Sequence, residues 1–164
     1  LAEAGSTLMP DLQLLWSNDL WRGDWQLTPE GSLADGDDLG TSVMLSLFSD
    51  RTARPGDEIP DGGPIRGWWA DTYREYPMGS RLWLLYREKK TETTRRRAEE
   101  YAREAMAWFV DAGVASKVEV SAVWLPHPDA TGFLELSITV HPPRGARRIW
   151  RFPLAWGQME GAGA

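Results

Sequence analysis

The sequence predicts an α+β domain, with helices first and an antiparallel sheet last. Three observations carry this. Apolar residues recur at helical spacing through the middle of the chain, the period changes from 3.6 to 2 after Gly113, and the three alternating segments that follow each have one apolar face. At 164 residues with no cysteine, the chain is long enough to bury a core as one domain without disulfides or thiolate-held metal. That domain is expected over 11–156. Residues 1–10, which run up to Met9 and Pro10, read as an unstructured lead or remnant, and 157–164 as a flexible tail.

The first element lies in "DLQLLWSNDLWRGDWQLT", where short apolar runs surround the turn formers Ser17, Asn18, Asp19, Gly23 and Asp24; this predicts a hairpin or two short strands. A helix follows from about Leu39 to Asp50, with Asp37 or Asp38 as its N-cap and Val43, Met44, Leu47 and Phe48 on one face. The stretch "TARPGDEIPDGGPIRG" forbids regular structure and predicts a long loop, a feature more often functional than decorative. Residues Gly79 to Lys90, "GSRLWLLYREKK", read as a second helix capped by Ser80, with Leu82, Leu85 and Tyr86 on its apolar face. Arg87, Lys89 and Lys90 then oppose the negative end of its dipole.

The third helix has the clearest pattern. Thr91 caps it, Ala98, Tyr101, Ala102, Ala105, Trp108, Phe109 and Ala112 form its stripe, and Gly113 ends it in a left-handed conformation. On its polar face Arg96 with Glu100, and Glu99 with Arg103, stand at i, i+4. Three strands complete the domain: "SKVEVSAVWL", "FLELSITV" and "RRIWRFPL", the last turning Trp150, Phe152 and Leu154 one way and Ile149, Arg151 and Pro153 the other. Proline gives no N–H to a ladder, so the final strand is expected at the sheet edge.

Charge narrows the function. Lys and Arg number 18 against 24 Asp and Glu, a net charge of −6 that disfavours general binding to phosphate backbones. The charge is uneven: residues 1–80 hold five basic and fourteen acidic side chains, residues 81–164 thirteen and ten. Such polarity suits oriented contact between protein surfaces. A nucleic-acid module built on Arg95, Arg96, Arg97 and the Arg144 to Arg151 cluster fits the net charge poorly. No apolar run is long enough to span a bilayer, and the first residues have no signal-peptide pattern.

Candidate chemistry is sparse. His127 and His141 each adjoin proline in predicted turns, which do not hold an imidazole rigidly for metal or relay chemistry. No cofactor is implied. Asp71 and Glu75, one helical turn apart beside Trp68 and Trp69, form a carboxylate pair that a sugar-cleaving cleft would need. Against that stands a docking reading. Ten tryptophans exceed what one small core needs, and large aromatics with arginine dominate protein interfaces.

The blocks "SLFSDRTARPGDEIPD", "RGWWAD", "GSRLWLLYREK" and "YAREAMAWFVDAGVASKVEV", in this order and spacing, resemble the baseplate-wedge protein family of Mu-like contractile-tailed phages and prophages. The resemblance spans about Leu12 to Phe152. It implies a structural, non-enzymatic protein of the virion tail baseplate, assembled in the bacterial host cytoplasm. It also implies several copies around the tail axis, joined to other wedge and hub proteins and offering sheath or tube subunits a template. The related sheath-initiating group carries a Glu-Pro-Arg motif entering the sheet. Here that stretch reads "ASKVEV", so the contact does not transfer.

On this reading Trp68 and Trp69 fix the long loop against the helices. Asp71, Arg74 and the loop from Arg51 to Arg66 then face a wedge partner. Arg147, Arg148, Trp150 and Arg151 mark the final strand as the edge where a sheath subunit pairs. The alternative is a peptidoglycan-binding or lysozyme-like domain using Asp71 and Glu75.

Overall fold

The computed structural model describes residues 12–17, 22–34, 36–68, 71, 73, 76–126 and 132–155. The expected lead and tail, as well as His127, lie outside them. The described residues open with strands β1 (Leu14–Ser17) and β2 (Arg22–Trp25), which pair antiparallel with Leu14 opposite Trp25, the two short strands expected, although Ser17, Gly23 and Asp24, read as turn formers, lie within the strands. Helix α1 (Asp38–Phe48) starts where expected: the Asp37 carboxylate accepts from the Gly40 N–H at 3.0 Å, supplying one of the orphan donors of the first turn.

Helix α2 (Glu92–Met106) is capped by Thr91, whose hydroxyl accepts from the Thr94 N–H at 3.1 Å. It tightens at Ala107, whose N–H reaches the Glu104 carbonyl three residues back. One further turn, Trp108–Asp111, continues it to Gly113 at φ 71. That break aims the Trp108 indole N–H at Ser46 Oγ on α1, 3.0 Å away, so the two helices are joined by a polar contact as well as by packing.

Strands β3 (Lys117–Leu125), β4 (Phe133–His141) and β5 (Arg148–Ala155) form the antiparallel sheet in the order β3-β4-β5. The strict alternation decides the layers. Val120, Ala122, Leu134, Leu136, Ile138, Val140 and Phe152 are buried against the helices, while Glu119, Ser121, Val123, Ile149 and Arg151 point to solvent. Trp16 of β1 stacks on Phe48 of α1 with centroids 4.7 Å apart, and both meet Phe152 of β5 edge-on. Three elements distant in sequence are closed by this aromatic triad.

Two expectations are corrected. The helix predicted over Gly79 to Lys90 is a single 3-10 turn, Leu82–Leu85, so among the described residues two α-helices longer than one turn stand where three were expected. Its apolar residues form no stripe: Leu82, Trp83, Leu84 and Leu85 are all buried, and a turn enclosed on every side has no solvent face to extend an amphipathic helix. Gly79 also sits at φ 92, where an added Cβ would strike the Ser49 carbonyl, and Ser80 pairs with Asp50 as an isolated parallel bridge. The second correction concerns the polar face of α2. Glu99 does pair with Arg103 at 2.7 Å, but Arg96 turns to Glu92 at 3.1 Å instead of Glu100. Glu preceding Arg by four residues is the better orientation against the helix dipole.

Candidate docking surfaces

The long loop is held from below. Backbone bonds join Arg51 N to Ser80 O and Ser80 N to Ser49 O, each 2.9 Å, so the chain enters the loop fixed against the 3-10 turn. A neck closes it where the Ala53 N–H donates to the Ile65 carbonyl at 2.9 Å. Under the neck lies Arg81, only 6% exposed. Its guanidinium donates to Glu104 of α2 at 2.6 Å and to Asp57 of the loop at 2.8 Å, and it lies over the Tyr101 ring, 4.3 Å from the centroid. Glu104 also receives Arg54 at 2.6 Å and Arg51 at 3.3 Å. One buried cation therefore ties loop, turn and helix together.

The electrostatics follow from this geometry. Burial alone would raise the Asp57 carboxyl, but the Arg54 N–H and the Arg81 guanidinium outweigh it and hold Asp57 below its ordinary value. Burial likewise works against the charge on Arg81, and Glu104 and Asp57 together raise its pKa above the usual guanidinium value.

At the far side of the neck Arg66 adopts φ 53, an uncommon conformation for a residue with a Cβ. It is retained there by an ion pair with Asp50 at 2.7 Å and by stacking over Trp83, 4.5 Å from the ring centroid. Trp83 itself is 2% exposed and donates its indole N–H to the Arg51 carbonyl at 2.8 Å. Above this rigid base the loop region exposes apolar side chains: Ile65 at 59%, Trp68 at 39% and Tyr73 at 84%.

The expected site residues on this face separate. Trp68 is exposed, whereas Asp71 is half-buried with Oδ1 accepting from the Met78 N–H at 2.9 Å, so that oxygen closes the turn between them. Trp69, Arg74 and Glu75 lie outside the described residues. The indole that demonstrably anchors the loop is Trp83.

The final strand forms the second surface. Pro153, opposite Glu135, has no N–H, so it fits the ladder where the β5 backbone points away from β4. Ile149 and Arg151 share that parity, and their N–H and C=O groups face the open edge. The same count turns the odd residues of β4 toward β3, in agreement with the His141 carbonyl accepting from the Ser116 N–H at 2.8 Å. His141 thus ends a strand, half-buried, where a solvated turn was expected.

Of the four residues expected on this edge, Arg147 and Arg151 are exposed and make no hydrogen bond or ion pair among the described residues. Arg148 instead forms a bidentate pair with Asp37 at the start of α1, one arm 2.6 Å long, and lies 4.9 Å from the Trp150 centroid. Trp150 packs on the core. Arg144, like Arg147 and Arg151, is exposed, and Arg147 acts coulombically on Glu119 of β3. The helical arginines are otherwise engaged: Arg95 and Arg96 with Glu92, and Arg97 with Glu88.

Sequence reasoning missed Arg81, Asp57, Glu104 and Asp37 as partners. The one local signal was an arginine set in the otherwise apolar run "SRLWLLY". Among the described residues no group of three or more His, Asp or Glu is placed to hold a metal ion, and no helix is long and apolar enough to cross a membrane.

Comparison with known proteins agrees with the Mu-like resemblance read from the residues. The chain is similar to the baseplate protein gp46 of Escherichia phage Mu, 44% identical over 149 residues that cover 90% of this chain and 98% of that protein. It is also similar to the Mu-like prophage FluMu protein gp46 of Haemophilus influenzae, 36% identical over 149 residues with the same coverage of each. A family model described as phage protein GP46 matches residues 39–147, from the first full turn of α1 to the threshold of β5. On that match and those identities, the chain belongs to the phage protein GP46 family.

Proposed function

We propose that the chain is a non-enzymatic structural component of a contractile phage or prophage tail baseplate, joining wedge proteins to the tail hub and templating the start of the sheath. The observation that carries the baseplate role is the 44% identity, along nine-tenths of the chain, with a protein named as a baseplate protein. The geometry supports a docking role: a loop pinned by a buried ion cluster exposes Ile65, Trp68 and Tyr73 toward a wedge partner, with Asp71 and Arg74 beside them in sequence. Rigid presentation lowers the ordering cost of binding. At the other surface, the outward backbone groups of Ile149 and Arg151 suit addition of one sheath strand, with Arg147 and Arg151 deterring indiscriminate pairing. In this role the protein sits in the virion, in several copies around the tail axis, after assembly in the host cytoplasm.

Sheath assembly in vitro on baseplates carrying variants tests both surfaces. Arg151→Pro removes an outward N–H without touching the β4 ladder. It is expected to fold and to start sheath poorly, while Arg151→Ala starts it well. Equal initiation by the two variants removes β5 as the template. Trp68→Ala is expected to stay folded but to incorporate poorly into baseplates, and wild-type incorporation removes the loop face as the wedge contact.

A further inference from the structure

An antiparallel sheet of three strands has two outer edges, and here they are treated differently. By the parity that Pro153 imposes, the residues of β3 with backbone groups facing outward are Val118, Val120, Ala122 and Trp124. The Ala122 carbonyl on that outer edge accepts a hydrogen bond from the Arg95 guanidinium of α2 at 2.9 Å. The guanidinium is itself held rigidly: Glu92 takes two of its nitrogens at 2.9 and 2.7 Å, and Glu99 takes the third at 2.8 Å. Two residues along, the Trp124 indole donates to the Thr91 carbonyl at 3.1 Å, latching the end of β3 to the start of α2. Along β5 no side chain or backbone group of the described residues meets the outward edge.

We infer that Arg95 is an edge guard, covering β3 against pairing with other chains. Edge strands template indiscriminate pairing unless their backbone groups are covered. An unguarded β3 would meet its most abundant complement in a second copy of itself, antiparallel about a two-fold axis, which closes as a dimer. The inference stands apart from the sheath reading of β5, since it concerns only what β3 does when exposed.

The test compares Arg95→Ala and Arg95→Met with Arg96→Ala, a neighbouring arginine that pairs with Glu92 but does not reach the sheet. Sedimentation velocity across protein concentration is read beside amide exchange at Val120 and Ala122. The Arg95 variants are expected to gain a concentration-dependent species of twice the wild-type mass, with exchange at those outward amides slowed about tenfold or more. Arg96→Ala is expected to match the wild type in both. Folded Arg95 variants that sediment as the wild type does, with unprotected amides at Val120 and Ala122, overturn the inference. Failure of both Arg95 variants to fold also overturns it, because Arg95 is then a structural support; Arg95→Met keeps the aliphatic stem to separate that case.

Discussion

Arg81 shows how a single residue sets the shape of a surface that it does not join. A buried guanidinium needs its charge and its donors satisfied, and Asp57 and Glu104 do both from elements separated from it by 24 and 23 positions. Asp57→Asn tests the arrangement. At neutral pH it is expected to cost about 1–3 kcal/mol, because the amide keeps one acceptor oxygen but loses the charge that strengthens its bond to Arg81. The pH dependence has a definite sign. Because the folded-state Asp57 carboxyl is held below its ordinary value, the native state binds fewer protons than the unfolded one in that window. Its contribution is full above the ordinary aspartate range and is lost as pH falls through the lower folded value. Urea melts from neutral pH to about pH 2.5 should therefore show a shallower acid decline in Asp57→Asn than in the wild type; parallel declines would show that the pair carries no acid-linked stability. Glu92, lowered to about 2 by its hydrogen bond to Arg95, is fully exposed, and solvent screening leaves it a small role in the same titration.

Between elements, the Asp37 carboxylate has two duties. It caps α1 through the Gly40 N–H and clasps Arg148 of β5, joining the first helix to the last strand. Burial alone would raise its pKa, but the Arg148 hydrogen bond and the backbone N–H groups bring it below the ordinary value. Asp37→Ser retains a capping oxygen and loses only the clasp, so it should destabilise less than Asp37→Ala, which adds the cap at about 1 kcal/mol. In a double-mutant cycle with Arg148→Ala, denaturant melts should return a coupling of about 0.5–2 kcal/mol. Losses that add within about 0.3 kcal/mol would mean that cap and packing alone align α1 with β5. The same scale explains the lost helix: all four residues of Leu82–Leu85 are buried in the core cluster, packed against α2, so the segment has no surface face.

Across the molecule, the charge polarity read from composition resolves into local pairs and exposed arginines. Asp50 pairs with Arg66, Asp57 and Glu104 with Arg81, and the α2 arginines with Glu88, Glu92 and Glu99, while Arg144, Arg147 and Arg151 stay exposed. Exposed arginines and exposed aromatic side chains are residue types enriched at the centres of protein interfaces. The purified protein is accordingly expected to leave peptidoglycan suspensions turbid. Asp71→Asn keeps an oxygen that can accept from the Met78 N–H and should change no lytic rate. Clearing by the wild type that disappears in Asp71→Asn would restore the lysozyme-like alternative.

The sequence by itself determined the elements whose causes are local. The caps at Asp37 and Thr91, the left-handed Gly113, the two apolar helix stripes and the three alternating strands all depend on residues within a turn or two of one another, so their periods are legible in one dimension. Pro153 even announced the sheet edge, because a missing N–H is a property of the residue and not of its surroundings. Which charged side chains face solvent is set by folding and cannot be read along the chain. Arg148 and Arg151 look alike in "RRIWRFPL", yet one meets a carboxylate 111 positions away and the other faces solvent. Ion-pair partners are chosen by proximity after folding, and sequence separation carries no trace of it. The same holds for Leu82–Leu85, where burial on all sides overrode a plausible helical pattern, since what surrounds a segment is set by the packing of elements that it does not adjoin.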